Sequence, residues 1–141
     1  MTESTTFVLH KLVFALDKAA DTLLKEVFNI SYSRALVLVL LQDQPGITQH
    51  ELAQALGHSD PAASVMLVEL TKAGYVTSSP SPHHKRKKQV TLTARGEELA
   101  VKAHTYLNQK LDYLLSVAGV DGEIYTRLTH QLYATLIREK K

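Results

Sequence analysis

Thr48-Gln-His-Glu-Leu-Ala-Gln-Ala-Leu-Gly57, running on through His58-Ser-Asp-Pro-Ala-Ala-Ser-Val-Met-Leu-Val-Glu-Leu70, is the stretch that decides the fold. Thr48 and Glu51 have the spacing of a capping box, in which the hydroxyl takes one orphan helix amide and the carboxylate takes another. Leu52, Ala53, Ala55 and Leu56 follow, and Gly57 stops this short helix. Ser59 is a natural N-cap for the next helix, with Asp60 at its positive end and Pro61 in its first turn. Val65, Met66, Val68 and Leu70 give that helix an apolar side, and Gly74 ends it. A helix-turn-helix needs a small residue where its helices cross, here Ala53, and a turn residue tolerant of positive φ four positions later, here Gly57. Leu52, Leu56, Ala63 and Met66 stand where the pair should bury apolar groups; His58 departs from the apolar residue usual after the glycine. An ordinary αα-hairpin in a bundle fits the same pattern.

The residues beyond Gly74 favour the helix-turn-helix. Tyr75-Val-Thr-Ser-Ser79 and Gln89-Val-Thr-Leu-Thr93 are β-prone segments on either side of Pro80-Ser-Pro82 and a basic run, which reads as a hairpin with a cationic tip. A helix-turn-helix succeeded by such a hairpin is a winged helix. Upstream, Val8, Leu12, Ala15, Leu16, Ala19, Leu23 and Val27 recur at helical spacing. Tyr32 to Gln44 contains Ala35-Leu-Val-Leu-Val-Leu-Leu41, apolar all round, which fits a buried strand or a buried helix. The dozen or so residues before Pro45-Gly46 favour a central buried helix. Downstream, Leu99, Ala103, Tyr106, Leu107, Leu111, Leu114 and Leu115 form one stripe. After Gly119-Val-Asp-Gly122, with Asp121 as N-cap, Ile124, Leu128, Leu132 and Leu136 form another. The expected fold is mainly α with a small β-hairpin wing, in the order helix, helix, helix, helix, hairpin, helix, helix.

Composition bounds the function. A chain of 141 residues has room for one ordinary domain, and 45% apolar with 21% charged residues describes a globular protein. No apolar run approaches a membrane span, and the N-terminus lacks the positive region of a secretion signal, so a cytoplasmic location without a membrane partner is expected. The absence of cysteine removes disulfides, thiolate nucleophiles and cysteine metal sites. Of the seven histidines only His83 and His84 are adjacent, and neighbours on an extended strand point apart, so no metal and no other cofactor is expected. No glycine-rich phosphate loop, nucleophile context or supported carboxylate pair is present, which argues against an enzyme and leaves no catalytic residue to name.

The formal charge is only +2, yet Lys85, Arg86, Lys87 and Lys88 are consecutive. Without those four, 12 cations face 14 acids and the remainder carries −2. The positive charge is local, as an electrostatic footprint for nucleic acid is. A recognition helix from Ser59 to Ala73 can lie in the major groove of double-stranded DNA with its N-terminal residues near base edges. The Thr48 and Ser59 hydroxyls can hold phosphates, the Lys85–Lys88 tip can neutralise backbone charge, and Arg86 is shaped to enter a narrow minor groove. The rival reading is a winged helix used as a protein-interaction module with weak or no specific DNA binding, but such a module has no need of four adjacent cations.

Nearly the whole chain resembles the multiple-antibiotic-resistance regulator (MarR) family of winged-helix transcription factors. The motifs that carry the resemblance are Thr48–Gly57, Leu70-Thr-Lys-Ala-Gly-Tyr-Val76, and Arg86 through Val90-Thr-Leu-Thr-Ala-Arg-Gly-Glu98. The resemblance implies a homodimer, with dimerisation helices in 1–30 and 98–141 and a DNA-binding domain in 31–97. It also implies repression at a palindromic operator, relieved by small aromatic or phenolic ligands. It points to Phe14, Asp17, Tyr32, Arg34 and His104 as ligand-site candidates, although core packing for the aromatics and a salt bridge for Arg34 are the readings the residues favour one by one. Two departures stand out. His84 occupies the position where the family wing usually has an aspartate, two residues before the arginine that Arg86 matches. The front of the recognition helix, Asp60 to Val65, has no Arg, Lys, Asn or Gln, and many relatives carry an arginine where Val65 stands. Base readout then leans on Ser59, Ser64 and apolar contact from Ala62, Ala63 or Val65 to thymine methyls, with weaker or more shape-dependent specificity. Without cysteine, ligand binding, or pH through His84, is left as the switch.

Overall fold

Both N-caps read from the sequence are in place in the computed structural model, which describes residues 3–82 and 87–139. Ser59 lies in extended backbone and its Oγ accepts the Ala62 amide at 3.2 Å. Thr48 does the same for Glu51 at 3.2 Å, while the Glu51 carboxylate accepts the Thr48 amide at 3.3 Å, completing the capping box. Gly57 closes the first of these helices at φ 71°, a left-handed conformation that a side chain would strain. The described elements are α1 (Thr5–Phe28), α2 (Tyr32–Asp43), α3 (Gln49–Leu56), α4 (Asp60–Lys72), β1 (Val76–Pro80), β2 (Lys88–Leu92), α5 (Ala94–Ala118) and α6 (Gly122–Glu139). The mainly helical fold with one antiparallel hairpin is the one expected, each strand starting within a residue of its predicted place.

The ambiguous stretch 32–44 is a helix. Ala35, Val37, Leu38 and Leu41 are fully buried, and α2 packs against α1, α3 and β2, so its apolar surroundings explain a composition that carries no clear amphipathic period. The end of α1 had no clear sequence signal: Asn29 adopts φ 55° and its amide bonds the Lys25 carbonyl at 3.2 Å, a role usually filled by glycine.

Two compact units divide the chain, residues 1–104 and 105–141. In the first, Leu24, Leu38, Leu41, Leu52, Val76 and Val90 form the centre of the core, joined by Ala53 and Ala63 of the helix pair. Phe7, Val8, Leu9, Leu12, Val13 and Phe14 on α1 stay exposed. In the second unit, Asp121 caps α6 by accepting the Ile124 amide at 3.0 Å, as expected. No described residue of α6 is buried, and Leu128, Leu132, Tyr133, Leu136 and Ile137 face outward.

The base of the hairpin is tied down from two directions. The Val90 amide bonds the Ile47 carbonyl at 3.0 Å and Thr48 bridges Gln89, so the segment before α3 lies against β2 like a fragment of a third strand. At the other end, three carbonyls beyond α4 find partners across the hairpin: Ala73 from the Arg95 guanidinium at 2.6 Å, Gly74 from the Thr93 hydroxyl at 2.6 Å, and Tyr75 from the Thr93 amide at 3.0 Å. Arg95 also stacks over the Tyr75 ring, 4.8 Å from its centroid. Gly96 allows this approach, because a Cβ there would lie 2.0 Å from the Tyr75 carbonyl oxygen, which is backbone and has no rotamer to escape through. Gly96→Ala is expected to destabilise the protein by about 2–3 kcal/mol or more, as overpacking against a fixed group does, read as a lower urea midpoint at unchanged slope.

Candidate nucleic-acid interface

Helix α4 has a buried face, Ala63, Met66, Leu67 and Leu70, and an exposed one opposite it on which Pro61, Val65, Val68 and Lys72 align. Val65 is 57% exposed and Val68 51%. Ala62 is exposed beside this stripe and Ser64 partly so. The structure corrects one expected base reader: Ala63 is 0% exposed and belongs to the packing of α4, so it cannot reach a base.

The N-termini of α3 and α4 converge with the start of β2 on a cleft of about 360 Å³, lined by Thr48, Gln49 and His50, by Asp60 and Ser64, and by Lys87 and Lys88. Both lysines are exposed. His84, Lys85 and Arg86 lie outside the described residues, so the expectations placed on them carry no geometry. Ser59 uses an oxygen lone pair for its cap and keeps a hydroxyl proton to donate to a phosphate. Thr48 is more committed, since its hydroxyl donates to Glu51 Oε1 at 2.6 Å while accepting the Glu51 amide. Those bonds, side chain first and backbone second, hold the Glu51 carboxyl below the usual carboxylate range, with the charges of Lys87 and His50 assisting.

Two acids on α4 would repel a phosphate backbone, and each has a cationic or titratable partner from another helix. His50 of α3 places Nδ1 3.0 Å from Asp60 Oδ1 and 3.2 Å from Oδ2. Arg34 of α2 binds Glu69 Oε2 through Nε at 2.6 Å and through Nη2, while its Nη1 donates to Ser31 Oγ at 3.2 Å. His50 did not stand out in the sequence, and Val65 and Val68, expected on one apolar side with Met66 and Leu70, face solvent instead, because α4 buries the opposite side against its core. The ten-residue gap from His50 to Asp60 and the 35-residue gap from Arg34 to Glu69 follow no local period; only the packing of three helices sets them.

The expected ligand-site residues do not gather in one place. Arg34 lines a cavity of about 410 Å³ with Ile30, Ser31, Leu70, Ala73 and Tyr75. His104 lines another of about 460 Å³ beside Leu36, Val39, Leu40 and Leu56. Tyr32 lines neither cavity; burial and then the nearby charge of Asp17 push its hydroxyl above the usual phenol value. Its amide donates to Asp21 at 2.9 Å. Phe14 is 67% exposed. Among the described residues no group of three or more His, Asp or Glu is placed to hold a metal ion, and no helix is long and apolar enough to cross a membrane.

A capped helix pair joined to an antiparallel wing, with an exposed helix face beside paired lysines, defines a winged-helix protein. By sequence, residues 28–87 match the family model of the MarR family. The transcriptional regulator HosA of Escherichia coli O111:H- is 26% identical over 109 residues, covering 76% of this chain and 80% of that protein. The wild-type MarR of E. coli in its apo form superimposes with a TM-score of 0.79 at 24% identity, covering 96% of this chain and 99% of that one. MepR of Staphylococcus aureus, in a structure of a MepR–DNA complex, gives 0.76 at 21% identity, covering 97% and 98%. At such identities these structures establish the fold. The match to a family of transcription regulators agrees with the expectation that the chain is not an enzyme.

The capping box carries a pH signature with a definite sign. Because the Glu51 carboxyl titrates lower in the folded chain, its stabilisation is fully present above the ordinary carboxylate value and is lost as pH falls through the lowered one. Glu51→Gln should therefore be less stable than the parent near neutral pH, with the gap closing on acidification. Urea midpoints measured from about pH 7 down to about pH 3 check this; a gap that stayed constant would place the effect elsewhere.

Proposed function

We propose that this chain is a dimeric, DNA-binding transcription regulator that represses from a palindromic operator, with residues 31–97 reading DNA and residues 1–30 and 98–141 pairing two copies. The observation that carries the reading is α4: its N-terminal residues Asp60 and Ser64 open onto the same cleft as Lys87 and Lys88, and the face that follows them is exposed. A helix N-terminus and flexible cations beside an exposed helix suit a phosphate backbone and a groove together. HosA is named as a transcriptional regulator and MepR has been solved with DNA, which supports the same assignment. Pairing follows from the apolar residues left exposed on α1 and on α6, more than a free surface of this size ordinarily shows. Two-fold pairing in turn requires two equivalent half-sites.

A mobility-shift assay on the DNA upstream of the chain's own gene, at about 0.1 M salt, tests the assignment. We expect a shift above random DNA at two chains per duplex. Neutralising Arg86 and Lys87 to alanine should weaken binding to every sequence and flatten the plot of log affinity against log salt by roughly 0.9 for each phosphate left without its cation. Equal binding to random DNA, or a slope untouched by both substitutions, contradicts the reading.

We place the effector site in the cavity beside Arg34, where a guanidinium and the Ser31 hydroxyl meet the apolar surface of Ile30 and Leu70 and the Tyr75 ring. Its volume is in the range of small-ligand pockets. A small aromatic carboxylate would compete with Glu69 for Arg34. Addition of such acids should raise the melting temperature of the protein and loosen the DNA complex, and Arg34→Gln should abolish both effects. A melting response that survives Arg34→Gln puts the ligand in another cavity.

A further inference from the structure

We infer that this chain takes its base-specific signal from pyrimidine 5-methyl groups in the major groove, through Val65 and Val68, and therefore accepts 5-methylcytosine in place of thymine at the contacted positions. The inference rests on the DNA-binding reading and names the chemistry by which bases are told apart, which that reading leaves open.

The exposed stripe of α4 is unusual in what it lacks. Directly opposite the buried face, at i, i+4, i+7 and i+11, stand Pro61, Val65, Val68 and Lys72. Across the first two and a half turns of this stripe there is no donor or acceptor long enough to make the bidentate contacts that separate guanine from adenine. Two β-branched side chains project there, each more than half exposed. Their methyls offer dispersion and desolvation alone, and the apolar group that a base pair presents in the major groove is the C5 methyl of thymine. Each carboxylate nearest the stripe has a partner: His50 Nδ1 lies 3.0 Å from Asp60 at its N-terminal end, and Arg34 pairs with Glu69 beside Val68. The face thus approaches DNA without bare carboxylates on it, while Lys87 and Lys88 beside the N-terminal half supply phosphate attraction that carries no sequence information. In the N-terminal half of α4 the uncharged polar side chain is Ser64, partly exposed beside the stripe, and its single hydroxyl accepts or donates to any base.

A reader of this kind senses the methyl and not the hydrogen-bonding edge. Uracil presents the same edge as thymine without the methyl. 5-Methylcytosine presents the methyl in the same place on a different edge. The two comparisons, thymine against uracil and 5-methylcytosine against cytosine, should then give the same loss on demethylation.

The test begins with duplexes selected by the protein from a random pool. In the best of them, each thymine is replaced singly by uracil, 5-methylcytosine and cytosine, with adenine or guanine opposite as pairing requires, and affinity is measured by fluorescence anisotropy. At two or more positions per half-site we expect thymine and 5-methylcytosine to bind alike and uracil and cytosine to bind about fourfold more weakly, the loss set by one methyl group left uncovered. Val65→Ala should remove the discrimination at one of these positions and Val68→Ala at another, with melting temperatures unchanged because both side chains lie on the surface. Uracil duplexes that bind as tightly as thymine at every position overturn the inference and leave DNA recognition standing. A selection that yields no duplex bound above random overturns both.

Discussion

The carbonyls that succeed α4 govern the rest of this molecule. The last acceptors of α4 itself, at Glu69, Leu70 and Thr71, are taken by the amides of Ala73, Tyr75 and Gly74, while the next three, at Ala73, Gly74 and Tyr75, are taken by Arg95 and Thr93 from the far side of the hairpin. The chain must leave α4, form the hairpin and return before the segment that follows the helix is tied down. Thr93 serves both sides of the junction, since its hydroxyl donates to Gly74 and accepts the Gly96 amide that opens α5. The aim of α4, the root of the wing and the start of α5 are therefore one decision, and Gly96 is where the start of α5 lies against the Tyr75 backbone. Function depends on this arrangement because the exposed face of α4 and the lysines at the start of β2 act on a ligand only if they present together.

Much of this was legible in the sequence, for identifiable reasons. Thr48, Glu51, Ser59, Gly57 and Asp121 act through neighbours three or four residues away, and chemistry that local leaves a mark in the order of residues. The helical stripes of α1 and α5 and the two strands of the wing were readable on the same grounds. Asn29 escaped notice because the left-handed cap it forms is normally announced by glycine. The segment at Ile47 and Thr48 lying against β2 escaped notice because two residues of pairing are too short to show alternation.

Of the residues expected to read bases, the structure removes one. Ala62 and Ala63 are adjacent and chemically identical, and only the placement of α4 on its core decides that one is exposed and the other wholly buried. The acid-neutralising bonds of His50 and Arg34 were beyond reach for the same reason, since each joins helices whose relation is tertiary. They alter how the helix is understood. A recognition helix with Asp60 near its start and Glu69 near its end looks ill-suited to a polyanion until both carboxylates are seen to face cationic or titratable partners.

The strand fragment at Ile47 has an effect beyond positioning. With that fragment on one side of β2 and β1 on the other, β2 becomes the central strand and β1 the edge. β1 is five residues long and ends at Pro80, which has no amide to offer, and the next amide, Ser81, is bonded to the Lys87 carbonyl at 2.7 Å. A short edge that ends in proline is a poor template for strand addition. The apolar residues left exposed on α1 and α6 are thus not joined by an open sheet edge on which aggregates could grow.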